Sequence, residues 1–466
     1  MVSSNLPMMD LDFTVKSLGP RKVRSPYKAS RYVSDDEAIL YDTKWHKDSS
    51  AASCQCNGEK PLAFELAGPR DPIYFDPTKT RCGIVTCGGL SPGVNDVIRA
   101  IVLQLHYYYG IRIIHGFRYG FEGLVPNCKH ETLMLVPEVV THIHQQGGSI
   151  LSSSRGGQDP VEMVDTLERL NIQILFCIGG DGTMRGASSI QKEVESRGLK
   201  IAVIGVPKTI DNDILFMETT FGFETAYSIA AEAIRGAHVE STGAPNGVGL
   251  LKLMGRHSGF IAAHAALASR DANFVLVPEV EFDLGGTNGL LPSILRRLRD
   301  RGHAVVVVAE GAGQHLFDAD SGKDERDPSG NIRLKDIGVL LRDRISDYLK
   351  TLGISFNLKY IDPSYLIRSS AATPSDSLLA GIYGQMAAHA AMAGKTGMLV
   401  GNWHAQFTHV PIDAAVSGRK NIDPASNFWQ SVVECTGQPR NMSNQDIDFD
   451  DIGEALLLDA DGRAGT

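Results

Sequence analysis

A chain of 466 residues exceeds what one hydrophobic core usually organises, so two domains with embellishments are expected. With 43% hydrophobic and 21% charged residues, both signs interspersed, it is neither a disordered chain nor a small disulfide-stapled scaffold. A formal charge of −9 argues against nucleic acid as the main partner, because such proteins need a basic face to displace counterions, and any anionic ligand must be met by local cations.

Seven cysteines (Cys54, Cys56, Cys82, Cys87, Cys128, Cys177, Cys435) form no CxxC pair. Several stand inside apolar runs, where a thiol packs as a small hydrophobe, and this points to a reducing compartment. No uncharged apolar run reaches the roughly 18 residues of a membrane span. The start, MVSSNLPMMDLDF, carries acidic residues and lacks a basic region ahead of an apolar one, and GRAGT is not a peroxisomal address. A cytoplasmic location without membrane partners is the expectation.

Residues 1–80 show basic and polar clusters (GPRKVRSPYKASRY), then KWHKDSSAASCQCNGEK, with little periodicity; they read as an N-terminal extension. From Arg81 onward, short β-branched runs end in glycine-rich turns and are followed by helical segments, as in a parallel α/β sheet. The strands are expected at 82–89, 172–180, 200–207, 247–255, 273–279 and 303–311, and helices at 94–110, 160–171 and 223–240. Repetition of this unit is the doubly wound arrangement, in which ligands bind beyond the carboxyl ends of strands. Beyond about residue 420 the periodicity weakens, and NQDIDFDDIGEALLLDADG reads either as a terminal helix or as a loose tail.

Three strand exits concentrate the chemistry. TCGGLSPGVND, from Thr86 to Asp96, sets Gly88, Gly89 and Gly93 before a helix, where backbone amides and the helix N-terminus favour a phosphate; a purely structural turn would use the same glycines. IGGDGTMRGA (178–187) places Asp181 between glycine pairs, positioned to hold Mg²⁺ directly or through water. Its GGDGT also occurs in NAD kinases and lipid kinases, so it marks an ATP-handling turn without naming the acceptor.

VPKTIDND (206–213) packs Asp211 and Asp213 with Lys208 and Thr209 after a strand, which is costly unless the charges serve a ligand. One carboxylate can take the proton of an attacking hydroxyl while the other meets a metal or fixes geometry. Lys208 either neutralises a transferring phosphoryl group or pairs with a neighbouring aspartate and steadies the turn. Further exits offer Met254, Gly255 and Arg256 in LMGRHSG, Glu310 in AEGAGQ, Tyr365 and Arg368 in YIDPSYLIRSSAATPSD, and Arg155 in SSSRGG. Singly these cations read as solvated surface charges; together, in a chain of net −9, they read as an anion site. His404 and the other histidines show no metal-ligand spacing.

The order CGGLSPG, SSSRGG, GGDGT, PKTIDND, MGRHSG, AEG, YIDPSYLIRS resembles the 6-phosphofructokinases from about residue 66 to about 415. The GPRDPIYFDP lead-in and PKTIDND look most like the long-chain ATP-using branch of plants and trypanosomatids. The resemblance implies two Rossmann-like domains facing across a cleft: 81–222 with 367–420 for ATP, and 223–366 with 421–466 for the sugar phosphate. It implies Asp211 as base with Lys208 beside it, Asp181 as Mg²⁺ ligand, and Gly88, Arg155, Gly156, Gly180, Gly182 and Thr183 with Asp181 at ATP. Thr209, Ile210, Asp211, Met254, Gly255, Arg256, Glu310, Lys359, Tyr365 and Arg368 fall where the family binds fructose 6-phosphate. A homo-oligomer, dimer or tetramer, is carried over with it.

The departures are specific. Lys208 stands where bacterial ATP-dependent enzymes have glycine, Lys359 where an arginine contacts the sugar phosphate, Tyr365 in place of a histidine, and Gly247 in place of an arginine lent by a neighbouring subunit. Lys208 therefore favours a pyrophosphate-dependent enzyme; Gly182 opposes it, because an aspartate there would repel the nucleotide α-phosphate. PKTIDND and MGRHSG argue against an NAD or lipid kinase. Retention of Asp181, Asp211 and Arg256 argues against a non-catalytic regulatory subunit.

Overall fold

The computed structural model describes residues 11–43, 61–317 and 333–444. Cys54 and Cys56, with the rest of residues 44–60, and the acidic segment from residue 445 lie outside these. The described strands are β1 (Lys16–Ser17), β2 (Ala38–Leu40), β3 (Ala63–Leu66), β4 (Arg81–Thr86), β5 (Ile113–Phe117), β6 (Thr132–Met134), β7 (Ile174–Gly179), β8 (Ala202–Pro207), β9 (Gly247–Leu253), β10 (Phe274–Leu276), β11 (His303–Ala309), β12 (Asn357–Ile361), β13 (Lys395–Thr396), β14 (Met398–Trp403) and β15 (Gln406–Pro411).

They form two principal sheets. A nine-stranded sheet runs β2-β3-β15-β14-β8-β7-β4-β5-β6, and a four-stranded sheet runs β10-β11-β9-β12. The small sheet is parallel throughout, and so is the centre of the large one from β14 to β5; only the margins of the large sheet are antiparallel. Every strand predicted from the sequence is present. Helices cover both faces of both sheets, and this explains the strands' unbroken apolar character. Along β7, Ile174, Phe176 and Ile178 enter one core while Leu175 and Cys177 enter the other. In β11, Val305 and Val307 oppose Val306 and Val308 in the same way. The period of two along a strand produces this division.

The predicted helices follow local rules. Asp159 accepts a hydrogen bond from Val161 N and Pro160 opens the helix Pro160–Arg169. The segment 94–110 begins as an α-helix over Val94–Leu103 and continues in wider π-type turns over Gln104–Tyr109. Phe223–Thr242 forms one helix behind the small sheet.

The N-terminal extension differs from its sequence reading, for part of it is built into the large sheet. β3 pairs antiparallel with β15, and β2 adds outside β3. Arg70, 1% exposed, donates to Asp35 (3.1 Å), Glu65 (3.2 Å) and the carbonyls of Leu66 (2.7 Å) and Gly68 (2.9 Å). Glu65 also receives Lys395 (2.8 Å) and His409 (3.0 Å), so its buried charge is paired on several sides. Those partners hold the Glu65 carboxyl down at about 2 against the opposing effect of burial. Strands of three or four residues are too short to print a legible period.

Candidate active site

Strand register assembles the site. β4, β7 and β8 pair with Thr86 beside Ile178 and Gly179 beside Pro207, so their exits lie next to one another. Backbone bonds stitch those exits together: Cys87 N donates to Ile178 O (3.0 Å), Gly88 N to Ser154 O (3.0 Å) and Lys208 N to Gly179 O (2.9 Å). Gly88, Arg155, Gly156, Gly180, Asp181, Gly182, Thr183, Lys208, Thr209, Ile210 and Asp211 consequently line one cleft of about 680 Å³. That volume is within the range of small-molecule sites.

The small sheet contributes to the same cleft. Glu310 N donates to Leu253 O (2.9 Å) and Gly311 N to Gly255 O (3.0 Å), which sets the ends of β9 and β11 side by side and brings Arg256 and Glu310 in. Gly255 is required by this turn: its φ is 125°, and a Cβ there would lie 2.4 Å from Ser258 O. Arg368, on the helix Ser364–Ser369, joins from a third direction.

Gly93 of the first exit does not line the cleft, and neither do four residues that the resemblance places at the sugar phosphate. Met254 is buried, with its Sδ 3.1 Å from Arg368 Nε, and Gly255 shapes the turn that presents Arg256. Lys359 is exposed on β12, and Tyr365 is 82% exposed on its helix. Conversely, Arg185, His257 and Arg419 line the cleft without having been singled out. Arg185 lies one turn beyond Asp181, a spacing that could have flagged it.

The two ionisable groups at the centre are both displaced toward neutrality. Burial first, then the like charges of Asp213 and Glu310, push the Asp211 carboxyl up to about 7, while Arg368 and the Arg256 amide oppose the rise. Its Oδ1 is sealed from solvent and has no hydrogen-bond partner among the described residues. Asp213 is better held: Thr209 Oγ1 donates to it at 2.8 Å and Arg419 Nη1 at 3.0 Å. Lys208 is 6% exposed. Burial lowers its ammonium to about 8, with Arg155 and Arg368 adding to the effect and Cys87 opposing it.

A family model described as Phosphofructokinase matches residues 81–391. The chain belongs to the phosphofructokinase family. It is 48% identical over 448 residues to the ATP-dependent 6-phosphofructokinase of Borreliella burgdorferi, covering 93% of this chain and 98% of that one. It is 47% identical over 379 residues to the ATP-dependent 6-phosphofructokinase of Trypanosoma brucei brucei, covering 81% and 77%. Among solved structures, the pyrophosphate-dependent phosphofructokinase of Marinobacter aquaeolei superposes with a TM-score of 0.62 at 20% identity, over 76% of this chain and 91% of that one, a likeness of fold.

In this phosphofructokinase the acidic pair also tests the expected metal. Arg419 donates from Nη2 to Asp181 Oδ2 (3.3 Å) and from Nη1 to Asp213 Oδ2 (3.0 Å), so the two carboxylates converge on one cation. Hard oxygen donors of this kind suit Mg²⁺, which commonly takes one or two carboxylates and draws its other ligands from water and substrate phosphates. Among the described residues no group of three or more His, Cys, Asp or Glu gathers as a metal site. No described helix is long and apolar enough to cross a membrane.

Proposed function

We propose that this chain is an ATP-dependent 6-phosphofructokinase, transferring the γ-phosphoryl group of Mg·ATP to the 1-hydroxyl of fructose 6-phosphate to give fructose 1,6-bisphosphate in glycolysis. The observation that carries this reading is Asp211: a carboxylate with an unpartnered buried oxygen, raised to about 7, in a cleft lined by cations from both sheets. A base near ambient pH is matched to removing a hydroxyl proton. Asp211 takes that proton, the sugar oxygen bonds to the γ-phosphorus, the bond to the β-phosphate bridging oxygen breaks, and ADP leaves. Lys208 and Arg155 face the charge that accumulates on the transferring group, and the glycine exits hold the donor in line.

Asp181, with Asp213 beside it, would hold Mg²⁺ against the nucleotide phosphates, and the ion would supply charge neutralisation at the β- and γ-phosphates. The large-sheet unit takes ATP through Gly88, Arg155, Gly156, Gly180, Asp181, Gly182 and Thr183. Arg256, Glu310 and Arg368, with Thr209 and Ile210, take the sugar phosphate. A Cβ at Gly182 would meet nothing within 4 Å, so this position leaves room for a nucleotide α-phosphate. The same reading carries a cytoplasmic, symmetric homo-oligomer.

Lys208 keeps a pyrophosphate-dependent reading in play. Steady-state assays with fructose 6-phosphate and either ATP or pyrophosphate, run in parallel, decide between them. Turnover with ATP and little with pyrophosphate is expected; the reverse overturns the reading.

A further inference from the structure

Arg419 belongs to none of the glycine-rich exits, yet it spans two of them. One guanidinium fork reaches Asp181, which follows β7, and Asp213, which follows β8, and in each case it takes Oδ2. Arg185 Nε also reaches Asp181 Oδ2 (3.3 Å), but only Arg419 touches both carboxylates; Asp211 and Glu310 line the same cleft. Two carboxylates aimed at one point and partly withdrawn from water favour a cation between them, and a guanidinium does not lose its charge by giving up a proton.

The backbone that carries Arg419 is fastened on both sides. Lys420 N donates to Asp213 O (2.9 Å), and Lys420 Nζ to the carbonyls of Met217 (2.9 Å) and Glu218 (3.1 Å). Two residues on, Ile422 N donates to Glu279 Oε1 (2.9 Å), and both Glu279 oxygens accept from Gly259 N (3.0 and 3.1 Å) at the start of the helix Phe260–Ser269. The segment is thus tied to the large-sheet unit through Asp213 and to the small-sheet unit through Glu279. The Arg419 side chain itself is 33% exposed and hangs on a long flexible stem, so it can leave its carboxylates while its backbone stays fixed.

We propose that Arg419 is a positioning residue that holds the Asp181–Asp213 carboxylate pair in register and competes with a divalent cation for the same two oxygens, turning to the phosphates of the bound nucleotide when the cation takes its place. The proposal rests on the phosphofructokinase reading for its nucleotide half alone. The competition follows from the bridge, because a cation ligated by both Oδ2 atoms and a guanidinium bonded to both exclude each other.

The test is a titration of nucleotide-free enzyme with Mn²⁺, followed by the electron paramagnetic resonance of the free ion, for the wild type, Arg419→Met and Arg419→Lys. Arg419→Met should bind one Mn²⁺ at least fivefold more tightly than the wild type while its KM for Mg·ATP rises at least fivefold. Arg419→Lys, which keeps the charge and loses the fork, should fall between them in Mn²⁺ affinity. A merely structural arginine would leave Mn²⁺ affinity unchanged or weaken it, and that result in a variant with wild-type circular dichroism overturns the proposal. Should Arg419→Met fail to fold, the lysine variant decides: wild-type Mn²⁺ affinity there overturns it too. Because the titration uses no substrate, tighter Mn²⁺ binding together with absent sugar kinase activity would remove the functional reading and leave the bridge standing.

Discussion

The ammonium of Lys208 donates to the carbonyl of Gly89, linking the exit of β8 to the exit of β4 two strands away. Among the described residues no carboxylate pairs with it, so the alternative in which Lys208 merely neutralises Asp211 or Asp213 loses its contact. Its charge remains available to a phosphoryl group, and the carbonyl fixes its position. Lys208→Met should lower kcat at least tenfold, since preorganised charge at the transferring group is a large term. Its melting temperature should stay within a few degrees of wild type, because a buried charge is removed rather than an ion pair broken. Wild-type kcat with a lowered melting temperature would return Lys208 to a structural role.

Asp211→Asn should reduce kcat by about 10²- to 10⁴-fold with nearly unchanged ATP binding, the usual contribution of a positioned base. The same substitution should also stabilise the protein at alkaline pH. A carboxyl whose pKa rises on folding favours the folded state most below its unfolded value and loses that advantage as pH climbs through about 7. Asparagine carries no such loss. The variant's melting temperature should therefore exceed wild type at pH 8, and the gap should shrink toward pH 5; a gap independent of pH would contradict the assignment.

The pH profile of kcat/KM for fructose 6-phosphate should be a bell. Its ascending limb comes from ionisation of Asp211 near pH 7, and its descending limb from loss of the Lys208 proton near pH 8. Asp213→Asn removes one of the like charges that hold Asp211 up, so the ascending limb should move to lower pH in that variant. An unmoved limb would separate Asp213 from the titration of Asp211.

Gly182→Asp should abolish use of ATP while the fold survives. The position opens onto the cleft with nothing within 4 Å of a Cβ, so the new carboxylate meets solvent space and not protein. Where the nucleotide α-phosphate lies, it meets like charge. Retained kcat/KM with ATP would show that the nucleotide runs elsewhere.

Arg256→Ala and Arg368→Ala should each raise KM for fructose 6-phosphate roughly 10-fold or more, because a charge-assisted contact contributes about 1.5–3 kcal/mol. A rise confined to KM for ATP would exchange the roles of the two sheet units. Arg368 carries a second signature: its Nε lies against Met254 Sδ, so Met254→Ala should reproduce part of the effect by loosening the arginine.

What the sequence made legible here is what is local. A β-branched run followed by glycines and a helix specifies a strand exit within about a dozen residues, and the exits holding Gly88, Asp181, Asp211 and Arg256 could be placed from that pattern alone. Arg419 was not legible, because nothing in VSGRKN distinguishes it from a surface cation until the chain has returned to lie across β7 and β8. Lys359 and Tyr365 show the converse: family position suggested them, while their side chains stand outside the cleft of this chain. The edge strand β2 and its neighbour β3 were not legible because β3's other partner, β15, is remote in sequence and their own lengths are three and four residues.

That remote pairing orders events during biosynthesis. Glu65 and His409, 344 residues apart, must meet before the edge of the large sheet can form. At about 5–20 residues per second of translation, the N-terminal segment waits roughly 17–70 s for its partners to be made. Until then Glu65 has only its local partner Arg70, and β3 finds its neighbour β15 only after the rest of the large sheet has been made.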